Sequence, residues 1–186
     1  MNNHCTGAKA GNTVDATSAR IFLQQAVDHY PRLAAFCFTL ALPYRESMAD
    51  YRSLILRFHA EAWQRTGEYS RERQQTRRSS PPTVLRWIWE VASAPERKMV
   101  LLLNLDTLVA ARNVQHVENA LQAISVAITN AWQTVTGLDH NGITSMTPLI
   151  INRAAPGAFT TPFNQLKAQV QAMEVPVATA RTGITG

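Results

Sequence analysis

Cysteine is nearly absent: 186 residues hold only Cys5 and Cys37. One thiol in a polar opening stretch and one inside the apolar run AAFCFTLAL make neither a disulfide framework nor a zinc site. Cys37 reads instead as a small buried hydrophobe. The eight glycines are scattered, and none falls in G-x-x-x-x-G-K-S/T or G-x-G-x-x-G, so nucleotide-cradling loops lose their usual support. The five histidines, at 4, 29, 59, 116 and 140, form no H-x-H or H-x-x-x-H pair, and His29, His59 and His116 read as partly exposed residues on or beside helices. No G-x-S-x-G elbow is present, and no tyrosine follows Tyr69. No window reaches the roughly 18 uninterrupted apolar residues that span a bilayer. The first twenty residues are polar and glycine-dotted, unlike a secretory signal or a membrane anchor. The expectation is a cytoplasmic protein with no membrane partner, no metal and no cofactor.

With 46% hydrophobic and 17% charged residues, the chain is long enough for one real core and short for two. The organisation expected is a disordered segment over 1–17, a single domain over 18–177 and a flexible tail over 178–186. Charge is modest in total, +5, but unevenly placed. RTGEYSRERQQTRR, from Arg65 to Arg78, sets five arginines against Glu68 and Glu72 and closes on SSPP, a composition that favours an exposed loop. Arginine's planar fork donates two parallel hydrogen bonds to phosphate and keeps its charge at any ordinary pH. A polyanion partner is therefore one expectation for this stretch, and a merely solvated loop is the other.

Periodicity supplies the elements. Ser18 precedes ARIFLQQAVDHY, where Phe22, Ala26 and Tyr30 recur at helical spacing, and predicts a capped helix. LAAFCFTLAL, bounded by Pro31 and Pro43, predicts a strand buried on both faces. Met48, Tyr51, Ile55, Phe58 and Ala62 follow a helical rhythm to about Arg65. TVLRWIWEVAS alternates, with Leu85, Trp87, Trp89 and Val91 on one face, and leads by a turn at Ala94 and Pro95 into the strand MVLLLNL. The two tryptophans read as core rather than as a base-stacking platform, because that face is otherwise aliphatic. Val117, Leu121, Ile124, Ile128, Ala131 and Val135 draw the clearest amphipathic stripe, with Gly137 placed as a C-terminal cap. GITSMTPLIIN predicts a strand that Pro148 confines to an edge or a bulge. TTPFNQLKAQVQAMEV predicts a last helix, with a threonine cap and Pro162 in its first turn. The order predicts an α+β domain: a split βαβ, ferredoxin-like antiparallel sheet (βαββαβ) with helices packed on it and extra helices at both ends.

HYPRLAAFCFTLALP, LRWIWEVAS, VLLLNLDTL and NAWQTVTGL, in that order, resemble the domain shared by the inovirus gene II replication proteins and the YagK/YfjJ group of prophages and mobile elements. The resemblance covers roughly Leu23 to Val177. It implies the fold of rolling-circle replication initiators. In those enzymes a strand bears a His-hydrophobic-His pair that holds a divalent metal, and a later helix bears a tyrosine that attacks DNA. Carried onto this chain, the histidine pair falls within Glu96 to Met99, which reads E-R-K-M, and the tyrosine falls near Met173 to Val177, which reads M-E-V-P-V.

Both halves of the nicking machinery are thus missing, and no catalytic residue is assigned. The expected function is a catalytically degenerate initiator-like protein of a phage or mobile element that binds DNA through its phosphate backbone without cutting it. The candidate contacts are Arg71, Arg73, Arg77 and Arg78 of the arginine-rich segment, with Arg97 and Lys98. The alternative is a regulatory module without nucleic acid, which partners an intact replication protein or itself.

Overall fold

The computed structural model describes residues 16–42, 48–74, 84–91, 95–109, 114–138, 142–155 and 157–182. Along the chain these form α1 (Ala16–His29), β1 (Arg32–Ala41), α2 (Met48–Gln74), β2 (Val84–Glu90), β3 (Glu96–Asn104), a 3-10 turn (Leu105–Thr107), α3 (Val114–Thr136), β4 (Ile143–Asn152), α4 (Thr160–Gln171) and β5 (Pro176–Thr182). The strands make one antiparallel sheet in the order β4-β1-β3-β2-β5. Without β5 that order is 4-1-3-2, the interleaving of two βαβ crossovers, so the fold is the expected α+β, split βαβ one.

Strand alternation sends two sets of side chains in opposite directions. Phe36, Phe38 and Leu40 of β1, Met99, Leu101 and Leu103 of β3, and Trp87 and Trp89 of β2 meet α2 and α3. Leu33, Ala35 and Cys37 of β1, Val100 and Leu102 of β3, and Ile88 of β2 meet α1 and α4. Both tryptophans are core, as their aliphatic neighbours indicate. His59 is not the partly exposed residue expected: it is buried, with its ring stacked flat on Trp87 at 4.1 Å and 9°. A helix position one step from Phe58 faces inward when the helix is covered on that side.

Several boundaries differ from expectation. Ser18 lies inside the first turn of α1, which already includes Ala16. α2 continues past Arg65 to Gln74, so Arg71 and Arg73 are helical rather than in a loop. Its inward stripe goes on in small polar residues, Thr66 and Ser70, both buried, with the Ser70 hydroxyl donating to the Thr107 carbonyl at 3.2 Å. No apolar periodicity marks that stretch. α4 begins at Thr160 without a side-chain cap. Residues 178–182, expected in a flexible tail, complete β5, which pairs with β2 from Val84↔Thr182 to Glu90↔Pro176. An edge of unpaired backbone groups on β2 is a strong partner for any extended segment brought beside it. The expected disordered segment lies, apart from Ala16 and Thr17, outside the described residues.

Other expectations hold. Gly137 takes a positive φ of 68° and donates its N–H to the Gln133 carbonyl, closing α3. β4 is an edge strand, and its pairing with β1 is irregular between Cys37 and Thr39. Asn104, which ends the run of leucines, accepts the Asp106 N–H in its side chain and the Thr107 hydroxyl at its carbonyl, turning β3 into the 3-10 turn. Arg32 then pairs with Asp106 and reaches the Val109 carbonyl at 3.2 Å, fastening this turn to the start of β1.

Gly142, just ahead of β4, stands against the buried Trp132 ring. A Cβ there would lie 2.7 Å from Cδ1 and 2.9 Å from Nε1. Trp132 is held edge-on to Phe58 at 5.2 Å, so the ring has little freedom to yield. Gly142→Ala is expected to destabilise the protein by about 1–3 kcal/mol, measured as a lower urea midpoint. A midpoint equal to that of the parent would refute this account of the packing.

Candidate nucleic-acid interface

Of the six sequence candidates, Arg71, Arg97 and Lys98 have described side chains, and these three do not share a surface. Arg97 stands opposite Leu40 in the β1–β3 register, and Leu40 belongs to the α2/α3 core, so Arg97 points to that side. It is 5% exposed, and its guanidinium lies 4.3 Å over the Tyr51 ring. Its Nε and Nη1 find no acceptor among the described residues. Lys98, the next residue, points to the α1/α4 side, exposed, with Nζ donating to the Ala172 carbonyl at 3.2 Å. Arg71 is exposed on α2, and its Nε donates to the Gly67 carbonyl of its own helix. Twenty residues of helix separate it from Tyr51, about 30 Å at 1.5 Å per residue. Arg71 and Arg97 thus lie at opposite ends of α2, and Arg97 and Lys98 on opposite faces of the sheet. Arg73 belongs to the last turn of α2, and Arg77 and Arg78 lie outside the described residues. The continuous basic face expected from the sequence is not formed by Arg71, Arg97 and Lys98.

Glu90 joins the hairpin to its neighbours. Its buried carboxylate accepts the Lys98 backbone N–H on Oε1 at 3.3 Å and the Glu174 N–H on Oε2 at 2.8 Å. Its own carbonyl accepts the Tyr51 hydroxyl at 2.7 Å. One residue therefore ties α2, β3 and the turn before β5 together, and both of its carboxylate oxygens are occupied by amides. Among the described residues, no three His, Cys, Asp or Glu side chains are grouped to hold a metal, and no helix is long and apolar enough to cross a membrane.

Basic and aromatic side chains do meet elsewhere. Between α1 and α4 runs an open groove of about 330 Å³ lined by Arg20, Ile21, Gln24, Phe163 and Lys167. Lys167 Nζ sits 4.8 Å from the Phe163 ring centroid, and Phe159 stacks on Phe163 at 5.3 Å. Among the described residues no carboxylate lines the groove. α4 has no acidic residue at all, and the one acid of α1, Asp28, accepts a hydrogen bond from Gln24 at 2.9 Å. Arg86, on the inner side of α1, lies 5.6 Å from the ring centroids of both Phe22 and Tyr30. Sequence reasoning missed Arg20, Phe163 and Lys167 because the two helices are far apart in the chain. The available signal was the acid-free composition of TTPFNQLKAQVQ.

A family model described as "Uncharacterised conserved protein UCP030791" matches residues 10–143. The match begins ahead of α1 and ends at the first residue of β4, so it takes in Arg20 and Gln24 but not α4. No curated protein and no solved structure matches the chain.

Two buried groups, one on β1 and one on α2, give the protein an alkaline limit. Burial pushes the Cys37 thiol up to about 12 from an ordinary 9.0. Burial also raises the Tyr51 phenol, with the nearby Arg97 charge opposing it. In the unfolded chain both groups ionise at their ordinary values and release protons that the folded state retains. Stability is therefore full below about pH 9 and falls as pH rises from there towards 12. Urea midpoints measured at pH 8 and pH 10.5 are expected to drop at the higher pH, and less so in Cys37→Ala relative to its own value at pH 8. Equal drops in the two proteins would show that the thiol carries none of this dependence.

Proposed function

The chain belongs to the UCP030791 family, and on that premise we propose that it is a nucleic-acid-binding protein of the replication-initiator kind that holds DNA by its phosphates without nicking it. The observation that carries this reading is the groove between α1 and α4. It presents two cations, an amide and an aromatic ring with no carboxylate among them. That combination suits a single strand, whose phosphates are neutralised by Arg20 and Lys167 while a base rests against Phe163. The split βαβ order supports descent from the same stock as the gene II and YagK/YfjJ proteins, although a fold hosts many functions. Cytoplasmic location on a phage or mobile element goes with that descent.

The Glu96 to Met99 mouth is not the binding surface in this reading. Its arginine faces inward on Tyr51, and its lysine is the only one of the pair turned towards solvent. The sheet strand that would bear metal ligands in a nicking enzyme here bears structural residues, which is why binding without cutting is proposed.

Fluorescence anisotropy with a labelled single-stranded oligonucleotide tests the reading. Affinity is expected to fall linearly on a log–log plot against salt. The double variant Arg20→Gln, Lys167→Gln is expected to bind more weakly and to lessen the slope by about 1.4, or about 0.7 for each single-strand phosphate that is no longer neutralised. Supercoiled plasmid incubated with magnesium or manganese should stay supercoiled. Absence of binding at low salt, or a slope unaltered by the double variant, would overturn the assignment of the groove.

A further inference from the structure

The β1–β4 pairing contains a second site. Cys37 stands opposite Thr147 and Thr39 opposite Thr144, which leaves Ser145 and Met146 together opposite Phe38. This is a β-bulge, and its Ser145 takes a positive φ of 55°, a left-handed conformation that costs a non-glycine residue free energy. The bulge opens a cavity of about 100 Å³ on the α1/α4 side of the sheet. Its polar lining is Thr39, Lys98, Ser145, Thr147 and Gln169. That volume takes several waters, which is room for a tetrahedral oxyanion.

The chemistry of the lining is one-sided. Among the described residues, three hydroxyls, one amide and one ammonium line the cavity, and no carboxylate does. Lys98 is brought to it by the β3 register, where Thr39 is its cross-strand partner, and by its hydrogen bond to the Ala172 carbonyl. An ammonium has three donors, so two remain for a ligand after that bond is made. Thr147 donates to the Ser145 carbonyl at 3.3 Å, which ties the strained residue to the same rim. Cys37 lies at the floor, and its raised pKa keeps it an uncharged thiol that does not repel an anion.

We propose that this bulge cavity binds a single phosphate group, with Lys98 supplying the charge and Thr39, Ser145, Thr147 and Gln169 the hydrogen bonds. The site is separate from the α1/α4 groove and does not depend on that groove binding nucleic acid. The phosphate is either inorganic or the terminal phosphomonoester of an oligonucleotide, since both present the same dianionic oxygens.

Titration of the full chain with inorganic phosphate, followed by amide NMR, tests the proposal. Saturable shifts are expected at Thr39, Lys98, Ser145 and Thr147 by a concentration on the order of 10 mM. Lys98→Gln is expected to weaken binding by about tenfold or more, with an unchanged thermal midpoint because the side chain is exposed. Thr147→Val, a strand-compatible exchange on an edge strand, should weaken it severalfold. Competition by a 5′-phosphorylated oligonucleotide but not by its unphosphorylated twin would support the site and assign it to a nucleic-acid end. Competition by neither would support it as a site for free phosphate. No saturable shift in the parent protein, shifts confined to the α1/α4 groove, or equal affinity in Lys98→Gln would overturn it. Disabling the groove with Arg20→Gln, Lys167→Gln leaves inorganic phosphate binding intact if the proposal is right, so the two readings fail separately.

Discussion

Met99 to Leu103, five consecutive residues of β3, have almost no contact with water, and successive side chains leave the strand in opposite directions. Apolar surface on both faces of a sheet must be covered on both faces, because each fully buried Leu or Val contributes roughly 1.5–3 kcal/mol only when water is excluded. Helices on one side alone would leave either Leu101 or Leu102 facing solvent. The three-layer arrangement follows from this: α2 and α3 close one face, α1 and α4 the other. The two crossover helices serve the first face, and the helices outside the βαββαβ unit are recruited for the second. β5 then covers the edge that the split βαβ order leaves open on β2.

The same two-sidedness decides the chemistry at the mouth of β3. Glu96, Arg97, Lys98 and Met99 are neighbours in sequence, yet alternation assigns Arg97 to the aromatic interior under α2 and Lys98 to the opposite surface. The Arg97 guanidinium lies over the face of Tyr51, where the ring quadrupole offsets part of the lost hydration. Glu90, which looks like the natural ion partner, is on the other side of the sheet and accepts a backbone amide on each oxygen. Those charge-assisted bonds close the hairpin on the α4–β5 turn. Arg97 and Glu90, conspicuous charges at this mouth, are thereby used to hold the fold. The α1/α4 side carries the groove and the bulge cavity.

The fold was largely legible in the residues because hydrophobic periodicity reports burial directly. AAFCFTLAL and MVLLLNL declare strands buried on both faces, the Val117 to Val135 stripe declares α3, and Pro148 marks an edge. The misses have a common physical cause. Thr66 and Ser70 continue the buried face of α2 without being apolar, so the helix outran its pattern. The last strand carries only the brief apolar signal PVATA and forms because an unpaired β2 edge is beside it. His59 is buried because its helix lies over Trp87, which no local spacing reveals.

What the sequence determined by itself is which segments are hydrophobic on one face or on two, and hence the element order, the α+β class and the lack of the histidine pair and late tyrosine that the resembled nicking enzymes use. Those are properties of single segments, fixed by residue type and period. Only the tertiary structure decided which polar groups meet. Arg20 and Lys167 lie some 147 positions apart and share a groove because two terminal helices pack on one sheet face. Lys98 shares a cavity with Thr39 and Ser145 because strand register and a bulge bring them together. Arg71 and Arg97, which the charge pattern groups, lie apart, one near the C-terminal end of α2 and the other over Tyr51 near its start. Sites depend on distances across the fold, and those are set by packing rather than by proximity along the chain.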